Sequence, residues 1–403
     1  MKSLGLRARW GIFTVFCGFS LLLGGCGGSS GSSTEGNSAT IFSAAGRTGQ
    51  SGNLGSGAAG AGNGSGGGPQ LPVAPGNGNP FPFAGGGAPT PPPAPGVSPQ
   101  FVLYATETPP FPPNANPANW LGVAKFLFAQ SGGATVPEVA IDRAQLDDPA
   151  GLAFRQSSSE VFVGNRHGNS SVGAPGSVDR FNFDAASGAL TANGRTFQTN
   201  GPAHQLNFSP SGELFVATIG PPDFPAFPGG VERYTFDTSG NPIQGSTIGL
   251  GLSTRGVIVS PNATRLYVTT ATSDILQFSL PNGAPLGTVN VPGPDRDFHY
   301  MEIRNGELYV AAITGNAIFR FAIQTANDDA INPTPIEQIT PAAGVSAVAF
   351  SPDGLEMYGA GLTNSDQLLR FSFDAQTNRW TATTSIATAS LVGLLVRPLT
   401  PAP

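Results

Sequence analysis

Three histidines, His167, His204 and His299, are the only imidazoles in a chain of 403 residues. Imidazole exchanges its proton near neutral pH, which makes it the default general base. Other reactive types are sparse. Two lysines, Lys2 and Lys125, leave little room for Schiff-base or phosphate-binding lysine chemistry. Two cysteines, Cys17 and Cys26, exclude a disulfide scaffold and a cysteine-rich zinc module. Arginines are the natural anion-holding groups, because a guanidinium donates two parallel hydrogen bonds to a carboxylate or phosphate. The excess of 25 acidic over 19 basic residues, a net charge of −6, offers no footprint for nucleic acid.

Such scattered residues meet only if the fold returns the chain repeatedly to one place, and from Phe101 onward a β-rich unit recurs. Its first strand is Gly151-Leu152-Ala153-Phe154, then Gln205-Leu206-Asn207-Phe208, Gly256-Val257-Ile258-Val259, Tyr300-Met301-Glu302-Ile303 and Ala347-Val348-Ala349-Phe350. A second strand follows as Val161-Phe162-Val163, Leu214-Phe215-Val216, Leu266-Tyr267-Val268, Leu308-Tyr309-Val310 and Met357-Tyr358-Gly359. A third carries an Arg-aromatic step in Arg180-Phe181, Arg233-Tyr234, Arg320-Phe321 and Arg370-Phe371. This polar–apolar alternation suits a sheet strand with one face covered. Units begin about 44 to 54 residues apart, the spacing of four-stranded propeller blades. Five are complete. Phe101–Thr106 reads as a second strand lacking its first, and Val392–Pro398 as a first strand lacking its second. Joining them closes a ring, so the expectation is an all-β, six-bladed β-propeller over residues 101–403, with seven blades as the alternative.

Ser351-Pro352-Asp353-Gly354, the Tyr-Val second strands, Phe183–Leu190 and Gly201-Pro202-Ala203-His204 resemble the YVTN and lactonase-type propeller superfamily. The resemblance spans roughly residues 101–400. It implies the propeller fold, and an activity range that includes lactonases of the phosphogluconolactonase type as well as surface-layer and binding proteins. Those motifs are blade scaffolding and do not choose among the activities.

In a propeller the first strands start at one mouth of the central channel, and the loops after the second strands open on the same face. Aligning the repeats puts His204, Arg255 and His299 at the starts of three consecutive first strands, with Ala150, Ser346 and Val392 at the other three. Asp148, Arg296 and Asp297 lie just before them; Glu107, Arg166, His167 and Asn364 fall in or beside the loops. His204 or His299 would act as general base on a water attacking a lactone carbonyl, and Glu107 would orient it or bind a metal. Arg166, His167, Arg255 and Arg296 would hold a polar or anionic ligand. The equally simple alternative is a polar loop at Arg166-His167 and neutral histidines bonded to backbone between blades. Two histidines and a carboxylate would suit a divalent ion, but they come from different blades with no ligand spacing, so no metal or other cofactor is assigned. Glu302 stands where the other units hold Ala153, Asn207, Ile258, Ala349 and Leu395, and a buried carboxylate needs a partner, with Arg255 one candidate.

Ahead of the repeats, residues 1–25 read as a secretory signal. Lys2, Arg7 and Arg9 precede an apolar run from Gly11 to Leu23, too short for the roughly 20 residues of a membrane span. Leu23-Gly24-Gly25-Cys26 resembles a bacterial lipobox, which implies lipidation at Cys26 and a membrane anchor. Residues 26–100 carry only Glu35 and Arg47 as charged side chains and are rich in Gly, Ser and Pro. They read as a disordered tether. The composite expectation is a monomeric lipoprotein of the bacterial cell envelope, on the outer membrane where one exists, facing periplasm or exterior. Its leading function is a binding or interaction module for an envelope protein or a small polar or anionic ligand; the alternative is a lactonase-type hydrolase at the channel mouth.

Overall fold

The computed structural model describes residues 101–107, 122–128, 137–166, 174–291, 296–363, 367–388 and 390–400. The expected signal, Cys26 and tether lie outside them, as do His167 and Asn364. Among the described residues the regular structure is β apart from two short 3-10 turns, Arg143–Gln145 and Thr325–Asn327.

Six antiparallel sheets form six blades. Blade 1 joins the two ends of the domain, running from Leu391–Pro398 innermost through Phe101–Glu107 and Gly122–Phe128 to Glu138–Asp142. Its closing register pairs Phe101 with Pro398 and Tyr104 with Leu395. The inner strands of blades 2 to 6 are Pro149–Arg155, Ala203–Phe208, Thr254–Val259, Phe298–Arg304 and Gly344–Phe350. Each packs against the next, and Leu391–Pro398 packs against both Gly344–Phe350 and Pro149–Arg155. The ring is closed at six, and closure removes the sheet edges that a linear array would expose.

The second strands are covered by neighbouring blades on both faces, which is why they read as unbroken apolar runs. All seven residues of Phe101–Glu107 and all six of Glu160–Asn165 are buried. One register position there holds Tyr104, Phe162, Phe215, Tyr267, Tyr309 and Tyr358, all fully enclosed. A buried hydroxyl needs an acceptor. Tyr104 Oη donates to Gly188 O at 2.6 Å, in the next blade, and Tyr267 Oη donates to Asp329 O, also in the next blade.

The Arg-aromatic step of the third strands acquires a cause. Arg180, Arg233, Arg320 and Arg370 each pair with the glutamate that begins, or directly precedes, their own blade's second strand, namely Glu160, Glu213, Glu307 and Glu356. Three of these arginines also donate to a carbonyl in the following blade: Arg180 to Gly240 O at 2.6 Å, Arg233 to Pro281 O at 3.0 Å and Arg320 to Asn378 O at 2.8 Å. The latch therefore fastens blade to blade on the face away from the histidines. Arg180–Glu160 is the most enclosed, with side chains 2% and 6% exposed. Removing one member of such a pair strands a buried charge and costs about 3–5 kcal/mol.

Candidate functional site

At the opposite face every inner strand slips register as it enters its blade: between Pro149 and Gly151, Ala203 and Leu206, Thr254 and Gly256, Phe298 and Met301, Gly344 and Ala347, and, in blade 1, between Leu391 and Leu394, opposite Ala105 to Glu107. A bulge re-aims the side chain it carries. The slipped residues are Ala150, His204-Gln205, Arg255, His299-Tyr300 and Ser346, so the positions expected at the mouth are the bulge positions. Neighbouring backbones close tightly here. A Cβ on Gly151 would collide with His204 O, and one on Gly256 would collide with His299 O and Thr269 Oγ1. Gln205 turns inward and stitches three blades: its Oε1 accepts from Val257 N at 2.9 Å and Met301 N at 3.1 Å, and its Nε2 donates to Met301 O at 2.6 Å.

Above that stitch, His204, His299 and Tyr300 form one cluster. The two imidazole centroids lie 5.6 Å apart, and Tyr300 is 5.7 Å from His204 and 5.9 Å from His299. All three side chains are almost wholly buried. Yet among the described residues neither nitrogen of His204, nor His299 Nδ1, nor Tyr300 Oη has a hydrogen bond of good geometry. An unmet buried polar group costs about 1–3 kcal/mol, and several gathered in one place are the mark of a site built for something else.

Electrostatics define the protonation states. Burial, and then the charge of Arg255, hold both histidines well below their ordinary range; Arg166 presses in the same direction on each, and a backbone group of Arg255 opposes weakly at His204. Both imidazoles are thus neutral at neutral pH. Burial pushes the Tyr300 hydroxyl up, so it stays protonated and able to donate. Burial also raises the Asp297 carboxyl, against the pull of Arg255. Asp297 Oδ1 stands 3.8 Å from His299 Nε2 and 3.9 Å from Arg255 Nε. Arg255 donates to Asp223 Oδ2 at 3.1 Å, and Ser253 Oγ donates to the same oxygen at 2.6 Å. Arg166 Nη2 donates to Asp148 Oδ1 at 2.5 Å. Asp148 and Asp297 occupy equivalent places two residues ahead of a bulge, and both take left-handed backbone, φ 58° and 46°, which Asp tolerates better than most residues.

The expected residues therefore divide. His204, His299 and Arg255 come together, and Arg166 bears electrostatically on both histidines and on Tyr300. Arg296 turns away and lies 5.3 Å over the Phe319 ring of its own blade, its backbone N–H donating to Ser273 Oγ at 2.9 Å. Glu107 belongs to the junction of blades 6 and 1, where Thr388 Oγ1 donates to it at 3.4 Å. Glu302 sits partly buried on the inner strand of blade 5, raised to about 7 by burial and eased by the Ile303 N–H and the charge of Arg304; Arg255 is occupied by Asp223. Tyr300 and Asp223 went unnoticed in the sequence: Tyr300 reads as an ordinary apolar strand residue, and Asp223 lies in a Pro-rich loop with no repeat counterpart. Among the described residues no group of three or more His, Cys, Asp or Glu side chains could hold a metal ion.

No protein-family model matches the chain, and no curated protein matches it. Solved structures do. A periplasmic gluconolactonase of Pseudomonas aeruginosa, PpgL, superposes with a TM-score of 0.55 at 17% identity, over 74% of this chain and 99% of that one. A putative 6-phosphogluconolactonase of Bacteroides fragilis gives 0.56 at 12% identity, over 74% and 98%. A protein from Lactobacillus plantarum gives 0.52 at 14%, over 75% and 100%. At these identities the likeness is one of fold: a β-propeller.

Proposed function

We propose that this propeller is a hydrolase of small lactones acting at the histidine-bearing mouth of its channel. The observation that carries the reading is the convergence of two buried, neutral imidazoles and one protonated tyrosine hydroxyl, all with unmet hydrogen-bonding atoms, beside Arg255. The two lactonase-named structures that share its fold favour this chemistry over pure binding. In the reading, His299, steered by Asp297, takes a proton from water as the water oxygen bonds to the lactone carbonyl carbon. Tyr300 Oη donates to the carbonyl oxygen as it gains negative charge. Ring C–O cleavage then returns the proton from imidazolium to the leaving alkoxide, giving the hydroxy acid. His204 holds the water or a substrate hydroxyl, and Arg255 with Arg166 favours substrates bearing an anionic or strongly polar group.

The test is hydrolysis of a lactone panel by the full chain, alongside His299→Ala, His204→Ala and Tyr300→Phe. Turnover lost in His299→Ala and reduced in Tyr300→Phe is expected. Turnover that survives both changes removes the assignment. The same unmet atoms would also serve a binding module that holds a ligand without reaction, and saturable lactone binding with no turnover by the native chain would select it. Envelope anchoring through Cys26 is proposed alongside: a labelled fatty acid should enter the native chain in bacteria and not Cys26→Ala.

A further inference from the structure

The face away from the histidines has its own irregularity. Where the inner strand turns into the second, blades 3, 4 and 6 hold Ser209, Ser260 and Ser351, and each hydroxyl caps its turn by accepting from Glu213 N, Arg265 N and Glu356 N at 3.1, 2.9 and 3.0 Å. The matching places in blades 1, 2 and 5 hold Arg397, Arg155 and Arg304. An arginine cannot accept, so it does not replace the cap. Each instead lies over an aromatic ring of the following blade: Arg397 over Phe154 at 3.6 Å, Arg155 over Phe236 at 4.1 Å and Arg304 over Phe350 at 5.2 Å. Arg304 donates to Ser351 O and Arg397 to Gln156 Oε1. Arg155 differs. Among the described residues its side chain has no hydrogen bond and no ion pair, and its Nε is buried without an acceptor.

Arg155 borders a polar groove of about 520 Å³ between blades 2 and 3, which Arg180 and Arg195 also line. The groove's carboxylates are already spent. Glu160 accepts from Arg180 Nη2 at 2.6 and 2.7 Å, from Ser158 Oγ at 2.5 Å and from Asn193 Nδ2 at 2.7 Å. Asp237 accepts from Asn241 N and Nδ2 at 2.7 and 2.9 Å, closing its own turn. Arg195, on the exposed outer strand, uses one donor on Ser239 O at 3.1 Å. Acceptors are thus satisfied while guanidinium donors remain, an imbalance that an acceptor-only anion would correct. Burial and the charge of Arg180 disfavour the Arg155 cation, against the pull of Glu160; Glu160 is itself held by Arg180, so an arriving anion would offer Arg155 the acceptor that its side chain lacks.

We infer that this groove is a second binding site, separate from the channel mouth, for the carboxylate or phosphate of a small polar molecule, with Arg155 as its principal donor and Arg195 as its second. The inference does not depend on the hydrolase reading. It is tested by calorimetric titration of the full chain with inorganic phosphate and with glucuronate, at low ionic strength. Native protein should bind one or both saturably, which also tells the two anion sources apart. Arg155→Ala should weaken that binding by about tenfold or more, Arg155→Lys by less because the charge stays and the fork goes, and Arg379→Ala, on the exposed outer strand of blade 6, not at all. Arg195→Ala, on the solvent side of an outer strand, gives a second variant if Arg155→Ala fails to fold, with a loss of about threefold expected. No saturable binding by native protein up to tens of millimolar, unchanged binding in both groove variants, or loss confined to Arg379→Ala would each overturn the site.

Discussion

The two halves of the channel mouth share one backbone device and differ in what it carries. On one side the bulges of blades 3, 4 and 5 present His204, Arg255 and His299-Tyr300, with buried nitrogens and a hydroxyl left unmet. On the other, blades 6, 1 and 2 present Ser346, Val392 and Ala150. There the polar atoms are consumed: Ser346 Oγ donates to Val392 O at 2.9 Å, and Thr106 Oγ1 donates to Ala150 O at 2.6 Å while accepting from Gly393 N at 2.7 Å. One half is closed for stability and the other is left open at a cost in stability. Sixfold repetition supplies positions; the departures from it supply chemistry.

The largest effect should separate the halves by activity. His299→Ala should lower lactone turnover by about 10²–10⁴-fold, the usual contribution of a positioned general base. Ser346→Ala, at the matching bulge of the closed half, should leave turnover within about twofold while lowering the melting temperature by a few degrees, as a lost buried hydrogen bond does. Equal losses of activity in the two variants would erase the distinction.

Stability should show the opposite symmetry. Gly151 and Gly256 make the same close approach to a neighbouring bulge carbonyl, one flanking each half. Gly151→Ala and Gly256→Ala should each cost about 2–3 kcal/mol through forced backbone displacement, read as the shift in urea midpoint at unchanged slope. A tolerated alanine at either position would show that its bulge is not fixed by packing.

The fold was legible because it is repetitive. Second strands enclosed by blades on both faces must be apolar, and inner strands must return at blade spacing, so six blades and the closure of Phe101–Thr106 onto Val392–Pro398 could be read from pattern. The site was legible only in part, for a physical reason. Alignment of repeats places backbone, and His204, Arg255 and His299 follow the backbone because they sit on bulges. It does not say where a long side chain reaches. Arg296 lies beside the same mouth in sequence yet folds back onto Phe319, and Glu302 finds Arg304 two residues along its own strand instead of Arg255. Tyr300 could have been suspected from its place directly after His299. Asp223 lies in a loop of no other blade, and no periodic signal reaches it.

Titration sets two kinds of group within the open half against each other. The depressed histidines stabilise the fold fully above their unfolded value of 6.5, and that stability is lost as pH falls below it. Glu302 acts in reverse. Its folded value of about 7 exceeds its unfolded 4.5, so its contribution is present below pH 4.5 and lost as pH rises through 7. Glu302→Gln should therefore stabilise the protein above pH 7, by about 2 kcal/mol once the partial exposure of the side chain is allowed for. Melting temperatures from pH 4 to 8 read the difference. A variant curve parallel to the native one would mean that the carboxyl is charged throughout.

The smallest expected effect bears on how the open half is held. Arg255 is kept at the mouth by Asp223, itself a third exposed, and by the more distant Asp297. A pair with that much solvent access is worth about 0.5–1 kcal/mol. Asp223→Asn keeps the shape and an acceptor for Ser253 but removes the charge, so Arg255 gains freedom without leaving the site. If Arg255 grips a substrate substituent remote from the carbonyl, KM should rise about two- to fivefold with kcat unchanged, the pattern of lost uniform binding. The released guanidinium is also less neutralised, which should deepen the depression of both histidines and move the acid limb of the rate profile downward in pH. A fall in kcat with constant KM would instead put Arg255 on the reacting oxygen, and the donor role now given to Tyr300 would pass to it.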